Sequence, residues 1–122
     1  MSASTYLLFY VNDPQHSADW YAQLLQTAPL EASPGFALFA LADGTRLGLW
    51  KQAAVQPASQ QAAGATELCL MLDSQAAVNT EFARWQALTL PVLQAPQDMD
   101  FGFTCVTADP DGHRIRIFHP AA

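Results

Sequence analysis

The hydrophobic residues of the chain follow two different spacings. Short runs that alternate or stay apolar for about four to eight residues are typical of strands, and examples cover 6–11 and 68–72. Two other stretches carry apolar side chains at the spacing of one helix face, and each is followed by a proline, Pro29 or Pro91, where a helix would end. These positions are Trp20, Tyr21, Leu24 and Leu25 in the first stretch and Val78, Phe82 and Trp85 in the second. The pattern predicts the order β-α-β-β-β in each half of the chain.

The two halves also repeat short motifs. A strand-like run ends at Asp13 in the first half and at Asp73 in the second, 60 positions later, and each aspartate is expected to cap the helix that follows. Each half closes on Asp-Gly-x-Arg and alternating apolar residues, beginning at Asp43 and at Asp111. The repeat predicts one domain of two modules. The expected boundaries are 1–122 for the domain, 1–50 for module one, 51–65 for a linker rich in Gln, Ala, Ser and Pro, and 66–122 for module two.

Composition narrows the function classes. The net charge is −6 with only five Lys and Arg residues, so a nucleic acid would be repelled and is not expected as a partner. No apolar run approaches the roughly 20 residues that cross a bilayer, and the first residues do not resemble a secretory signal, so we expect no membrane association and a cytoplasmic protein. Cys69 and Cys105 lie in apolar runs and are expected to be buried free thiols, with a disulfide or redox pair as the alternative.

The motifs resemble a known superfamily. The matching residues are Val11-Asn12-Asp13 followed by Ser17 and Trp20-Tyr21, together with the turn Asp109-Pro110-Asp111-Gly112-His113. In this order, and with the duplication, they resemble the glyoxalase/bleomycin-resistance/dioxygenase (vicinal oxygen chelate) superfamily across nearly the whole chain. The resemblance implies an α+β fold in which two tandem βαβββ modules form a curved mixed sheet around a cavity.

A narrower resemblance is to the phenazine-antibiotic resistance proteins of that superfamily. It is carried by Leu47-Gly48-Leu49-Trp50 before a proline-containing linker, by Met99-Asp100-Phe101-Gly102, and by the Asp109–His113 turn. The resemblance implies a homodimer that binds an aromatic antibiotic and needs no metal.

Catalytic members of the superfamily hold a divalent metal at four positions, which the resemblance places at Tyr6, Gly48, Glu67 and Arg116. Glycine offers no donor, arginine is a permanent cation, and a neutral tyrosine is a poor ligand, so only Glu67 suits a metal. We therefore expect no metal and no other cofactor. Instead, Glu67 and Arg116 are predicted to form a buried or half-buried ion pair, bidentate if geometry allows. The pair would either orient a ligand carboxylate, amide or ring nitrogen, or only fill the former metal position.

Strand alternation predicts which side chains face the cavity. Trp50 is the expected stacking platform, with Gly48 clearing space for a flat ring, and Phe101 and Phe103 are expected to flank Gly102 in a loop that closes over a ligand. The full set of predicted ligand-binding residues is Tyr6, Tyr10, Arg46, Gly48, Trp50, Glu67, Met71, Phe101, Phe103, Arg116 and Phe118. Arg114 and Cys69 share the same faces by alternation, as does Leu8.

These observations favour a binding protein over an enzyme. No catalytic residue is predicted, and His16, His113 and His119 are interpreted as structural or solvated. The first hypothesis is a metal-free protein that sequesters a flat aromatic molecule such as a phenazine-type antibiotic and thereby gives drug tolerance. The alternatives are a metal-dependent lyase, isomerase or dioxygenase of the superfamily, and a binder of another metabolite.

Overall fold

The computed structural model of the chain describes residues 1–2 and 4–122. It divides into two compact units, Met1–Ala63 and Gly64–Ala122. The first unit contains β1 (Tyr6–Val11), α1 (Pro14–Leu25), β2 (Glu31–Ala32), β3 (Phe36–Ala40), β4 (Arg46–Lys51) and a short 3-10 helix (Gln52–Ala54). The second unit contains β5 (Glu67–Met71), α2 (Gln75–Ala87), β6 (Gln94–Met99), β7 (Gly102–Ala108) and β8 (Arg114–Pro120). The predicted order β-α-β-β-β is confirmed in both.

The two four-stranded sheets have the same topology. Their strand orders are β1-β4-β3-β2 and β5-β8-β7-β6, with the first pair parallel and the others antiparallel. The register is also equivalent, because Leu8 lies opposite Gly48 in the first sheet as Cys69 lies opposite Arg116 in the second. The duplication read from the motifs is thus present in the backbone pairing, and the fold class is α+β with mixed sheets.

Each sheet buries one face against its own helix. In the first unit, α1 contacts β3 and β4, and Tyr21 is fully buried with Leu47 and Leu49. In the second unit, α2 contacts β6, β7 and β8, and the buried side chains include Val78 and Ile115. Burying these side chains stabilises each unit by roughly 25 cal/mol for every Å² of apolar surface removed from water. The opposite face of each sheet carries the candidate site residues.

The predicted N-cap residue is confirmed for the first helix but not for the second. The Asp13 carboxylate accepts from the backbone N–H groups of Gln15 (3.1 Å) and His16 (3.3 Å), as expected. The prediction that Asp73 caps the second helix is wrong. Ser74 has the extended backbone of a cap residue, and its Oγ accepts from Ala77 N at 3.0 Å, so the cap lies one residue later.

The segment predicted as a linker is partly ordered by packing. Lys51 belongs to β4, and the residues after it form the 3-10 helix Gln52–Ala54. Val55, which follows, is only 2% exposed. The Val55 side chain, an aliphatic one in a stretch of mainly small and polar residues, is therefore buried.

The two cysteines differ in burial. Cys105 is fully buried, as predicted, and burial raises the pKa of its thiol to about 11, with the Glu81 carboxylate adding to the rise. The prediction for Cys69 is wrong, because its side chain is exposed. Alternation explains the difference: Leu68 turns to the core, so Cys69 lies on the outer face. Both thiols are free. Within residues 1–2 and 4–122, no helix is long and apolar enough to cross a membrane.

Candidate functional site

The turn before β8 sets the position of the strand that carries the central arginine. Asp109 is 5% exposed, and its Oδ1 accepts from the backbone N–H groups of Asp111 (2.9 Å) and His113 (2.8 Å). Its Oδ2 lies 2.8 Å from Nδ1 of the buried His113 ring. Gly112 has φ 89°, a left-handed backbone that a glycine adopts without strain. The motif Asp109–His113 therefore serves to hold the start of β8, and His113 has a structural role here.

Arg116 on β8 is the centre of a polar network on the face of the second sheet opposite α2, which we call the open face. Its Nε donates to Glu67 Oε1 on β5. Its Nη1 donates to Gln94 Oε1 on β6 (3.1 Å) and to Thr104 Oγ1 on β7 (3.2 Å). The predicted ion pair is present, but it is not bidentate. Nε contacts the carboxylate, whereas Nη2, the other donor on that edge of the guanidinium, makes no hydrogen bond within the described part of the chain.

The pair is half-buried. The Arg116 side chain is 16% exposed and the Glu67 side chain 37%. The Thr104 hydroxyl donates to Ile117 O at 2.8 Å and so has a donor and an acceptor contact at once. Three neighbouring strands thus hold the guanidinium in one orientation, which lowers the entropy lost when it binds a further acceptor.

Aromatic side chains complete this surface. The Arg116 guanidinium carbon lies 5.4 Å from the ring centroid of Phe101, within the range of cation–π attraction. Phe101 packs edge-on against Phe118, with centroids 5.9 Å apart and planes at 70°. Phe101 lies in the turn before β7 and is 43% exposed. We call the group formed by Arg116, Glu67, Gln94, Thr104, Phe101 and Phe118 the Arg116 cluster.

A cavity of about 510 Å³ opens beside the Arg116 cluster within the second unit. This volume lies in the range of about 300–1,000 Å³ that is usual for small-molecule sites. Its wall combines two guanidinium groups, two amides and a few aliphatic side chains. These residues are Leu93, Gln94, Ala95, Gln97, Val106, Arg114 and Arg116.

Four of the predicted site residues thus lie together in the second unit, and two predicted ones do not join them. Phe103 was expected in a loop, but it is part of β7 and lies one position from Thr104, so alternation directs it to the opposite face. Met71 is on the correct face and 67% exposed, without a contact to the Arg116 cluster that the structure describes. The predicted loop position of Phe103 is therefore wrong, while the ligand contacts predicted for Phe103 and Met71 stay predictions.

In the first unit, the expected open space at Gly48 is filled. A methyl group placed on Gly48 would lie 2.6 Å from Leu8 Cδ2 and 3.0 Å from Phe36 Cζ. Because Gly48 has no side chain, the Leu8 and Phe36 side chains of the two adjacent strands pack over it. The prediction that Gly48 clears room for a ligand ring is therefore wrong. The sequence could not show this, because the covering residues come from β1 and β3.

Trp50 lies in an aromatic row across the first sheet. It is the register partner of Tyr10 and of Phe36, and its ring meets Tyr10 edge-on with centroids 6.3 Å apart. Tyr6, 55% exposed, is the register partner of half-buried Arg46 at the other end of these strands. The ligand contacts predicted for these side chains stay predictions.

Sequence reasoning missed part of the Arg116 cluster and part of the cavity wall. Gln94 and Gln97 lie in β6, whose polar sequence lacks the hydrophobic alternation of a strand, so their facing could not be assigned. Thr104 offered a signal, since a hydroxyl within the apolar run 103–106 must find a hydrogen bond when buried. Arg114 was placed on the open face but not among the binding residues.

The four positions that the resemblance assigns to a metal do not suit a divalent ion. Gly48 has no donor and is covered by Leu8 and Phe36, and the Glu67 carboxylate is engaged by Arg116. In the described part of the chain, no group of three or more His, Cys, Asp and Glu side chains could hold a metal. His119 directs Nδ1 to Leu72 O at 3.0 Å. The donor set argues against metal chemistry at these positions.

The exposed thiol next to this network is not activated. Partial desolvation of the thiol by its neighbours raises the pKa of Cys69, the Glu67 carboxylate adds to the rise, and Arg116 opposes it. A raised pKa keeps the thiol protonated at neutral pH, which is unfavourable for a nucleophile.

Two βαβββ units with equivalent register define the architecture of the glyoxalase/bleomycin-resistance fold. The Glyoxalase/Bleomycin resistance protein/Dioxygenase superfamily model matches residues 4–117, and the chain belongs to this superfamily. The chain is also similar to the phenazine antibiotic resistance protein EhpR of Enterobacter agglomerans. The two are 26% identical over 113 residues, which are 90% of this chain and 86% of EhpR.

Solved structures agree with this assignment. A protein of Agrobacterium tumefaciens with a solution NMR structure is 39% identical, with both chains covered completely and a TM-score of 0.86. A glyoxalase/bleomycin resistance protein/dioxygenase from Nocardioides is 21% identical, with 98% of this chain and 84% of that chain covered and a TM-score of 0.84. At that identity the likeness concerns the fold alone.

Proposed function

We propose that the protein binds a flat aromatic small molecule of the phenazine type without a metal, and that sequestering it gives tolerance to the compound. The observation that carries the proposal is the Arg116 cluster beside the 510 Å³ cavity. In it, a fixed guanidinium and an exposed aromatic ring, that of Phe101, occur together where a metal ligand would otherwise stand.

The donor arrangement suits a heteroaromatic ligand. Nε and Nη1 of Arg116 are occupied by Glu67, Gln94 and Thr104, while Nη2 has no hydrogen bond in the described part of the chain. A ring nitrogen is an acceptor without a donor, so it can accept from Nη2. Phe101 then offers a ring edge or face to the ligand, a contact worth about 0.5–1.5 kcal/mol beyond the area it buries.

The similarity to EhpR supports the phenazine class, since that relative is a phenazine antibiotic resistance protein. The proposal also includes the homodimer implied by the resemblance.

Isothermal titration of the protein with phenazine tests the proposal. We expect saturable binding that is the same before and after dialysis against a chelator. Phe101→Ala should weaken binding about three- to tenfold, as expected for the loss of one aromatic contact. Leu30→Ala is the matched control, because Leu30 is a 56% exposed apolar residue of the other unit.

A lack of phenazine binding would refute the proposal. Stoichiometric metal after gentle purification, with binding or turnover abolished by the chelator, would instead favour a metal-dependent enzyme of the superfamily. Binding of other metabolites but not phenazine would favour the third hypothesis.

A further inference from the structure

We infer that the cavity of the second unit selects a planar aromatic ligand that carries a carboxylate, and that Arg114 is the residue that recognises this group. The inference rests on the proposed function, because it assigns the charge of the ligand that the Arg116 cluster would bind. The two arginines in the cavity wall differ in how many of their donors are already engaged.

Positive charge is concentrated at this cavity in an otherwise acidic protein. The chain has 11 Asp and Glu residues against five Lys and Arg, yet two of those five, Arg114 and Arg116, line the cavity. Both project from the same face of β8, two residues apart. One carboxylate, that of Glu67, is bound in their vicinity, and it compensates only one of the two charges.

Arg114 is available to a ligand, whereas Arg116 is largely committed. Arg114 is the register partner of Glu67, but the Glu67 carboxylate pairs with Arg116 instead. Among the residues that the structure describes, no ion pair joins Arg114 to a carboxylate. Its exposed guanidinium is a planar fork that matches a carboxylate in geometry and charge.

The remaining polar groups of the wall favour an anion over a cation. Gln94 Oε1 accepts from Arg116 Nη1, so the Nε2 amino group of Gln94 is the part left for a ligand. This group donates to Met99 Sδ at 3.3 Å, but a thioether sulfur is a weak acceptor. Gln97 adds a second neutral amide. Asp98 follows Gln97 in sequence, but its register partner Phe103 is on the opposite face of the sheet. No carboxylate is among the residues that line the cavity.

The geometry therefore divides the recognition between two arginines. Arg116 Nη2 meets a ring nitrogen, as the proposed function requires, and Arg114 meets a carboxylate on the ring edge. A neutral ring system would leave the Arg114 charge without a counterion and gain only the first contact.

Phenazine and phenazine-1-carboxylate are a matched pair of planar probes that differ by one carboxylate. Titration calorimetry at neutral pH should show the carboxylate binding at least about tenfold more tightly, since a hydrogen bond to a charged group is stronger than one between neutral groups. The preference should decrease with added salt, while phenazine affinity should change little. Arg114→Gln should abolish the preference, so that the two probes bind within about twofold of each other.

The control is Lys51→Gln, which removes one positive charge from an exposed residue of the first unit and should leave the preference intact. Arg114→Lys keeps the charge without the fork and should retain part of the preference, which provides a folded variant if Arg114→Gln is unstable. Equal affinity of the wild-type protein for both probes, or a preference that survives in Arg114→Gln, would overturn the inference while the proposed function stands. Failure of both probes to bind would overturn both.

Discussion

Replacing Arg116 by methionine separates the two roles that the ion pair can have. Methionine keeps the length and much of the apolar stem of the side chain but removes the charge and every donor. If the Arg116 cluster is built for binding, the substitution should weaken ligand affinity more than it weakens folding. If the pair only fills a former metal position, affinity should not change.

The expected change in stability follows from the surroundings of each partner. A partly exposed ion pair contributes about 0.2–1 kcal/mol, and the Arg116–Glu67 pair has side chains 16% and 37% exposed. The hydrogen bonds from Nη1 to Gln94 and Thr104, at 3.1 and 3.2 Å, add to this contribution to the free energy of unfolding. The loss is offset because removing the guanidinium removes the cost of desolvating it.

The partners left behind are also tolerant of the change. Glu67 and Gln94 reach solvent and can hydrate, and the buried Thr104 hydroxyl keeps its bond to Ile117 O. We therefore expect Arg116→Met to lower the free energy of unfolding by about 0–1.5 kcal/mol. Loss of the Arg116 contact to the ligand should weaken phenazine binding about tenfold or more.

The assay pairs urea denaturation with calorimetric titration of phenazine on the same preparations. Arg84→Met is the matched control, since Arg84 forms an ion pair with Glu81 on α2 with similar exposure, 24% and 28%, away from the cavity. It should leave phenazine affinity unchanged. An Arg116→Met protein that binds phenazine as tightly as the wild type would refute a binding role for the pair, and destabilisation by more than about 3 kcal/mol would show that the pair is mainly structural.

Two further predictions concern the turn and the thiols. Asp109→Ala removes three acceptor contacts of a buried carboxylate and should lower the free energy of unfolding, measured by urea denaturation, by about 2–4 kcal/mol. Asp43→Ala, in the exposed turn of the first unit, is the control and should have a smaller effect. Equal effects of the two substitutions would contradict the role given to Asp109. A thiol reagent should modify Cys69 alone in the native protein and both cysteines after denaturation. The rate of modification of the native protein should still rise above pH 9, because the pKa of Cys69 is raised. Cys69→Ser should abolish the reaction of the native protein, and rapid modification of Cys105 would contradict its burial.

The sequence determined the architecture because the signals for it are local and repeated. Helix stripes, the Asp13 cap and the two Asp-Gly turns depend on neighbouring residues, and the repeat of these motifs predicted the equivalent topology of the two sheets. The resemblance to the superfamily also placed Glu67 beside Arg116. Strand register by itself sets Glu67 opposite Arg114 instead.

The tertiary structure alone decided what surrounds those residues. Gln94 and Thr104 reach Arg116 from strands adjacent in space but not in sequence, and Leu8 and Phe36 fill the position that Gly48 leaves empty. Arg114 was left without the carboxylate opposite it because Glu67 engages the neighbouring arginine instead. Such choices depend on the competition among side chains that meet across a sheet, and a linear pattern does not contain that competition.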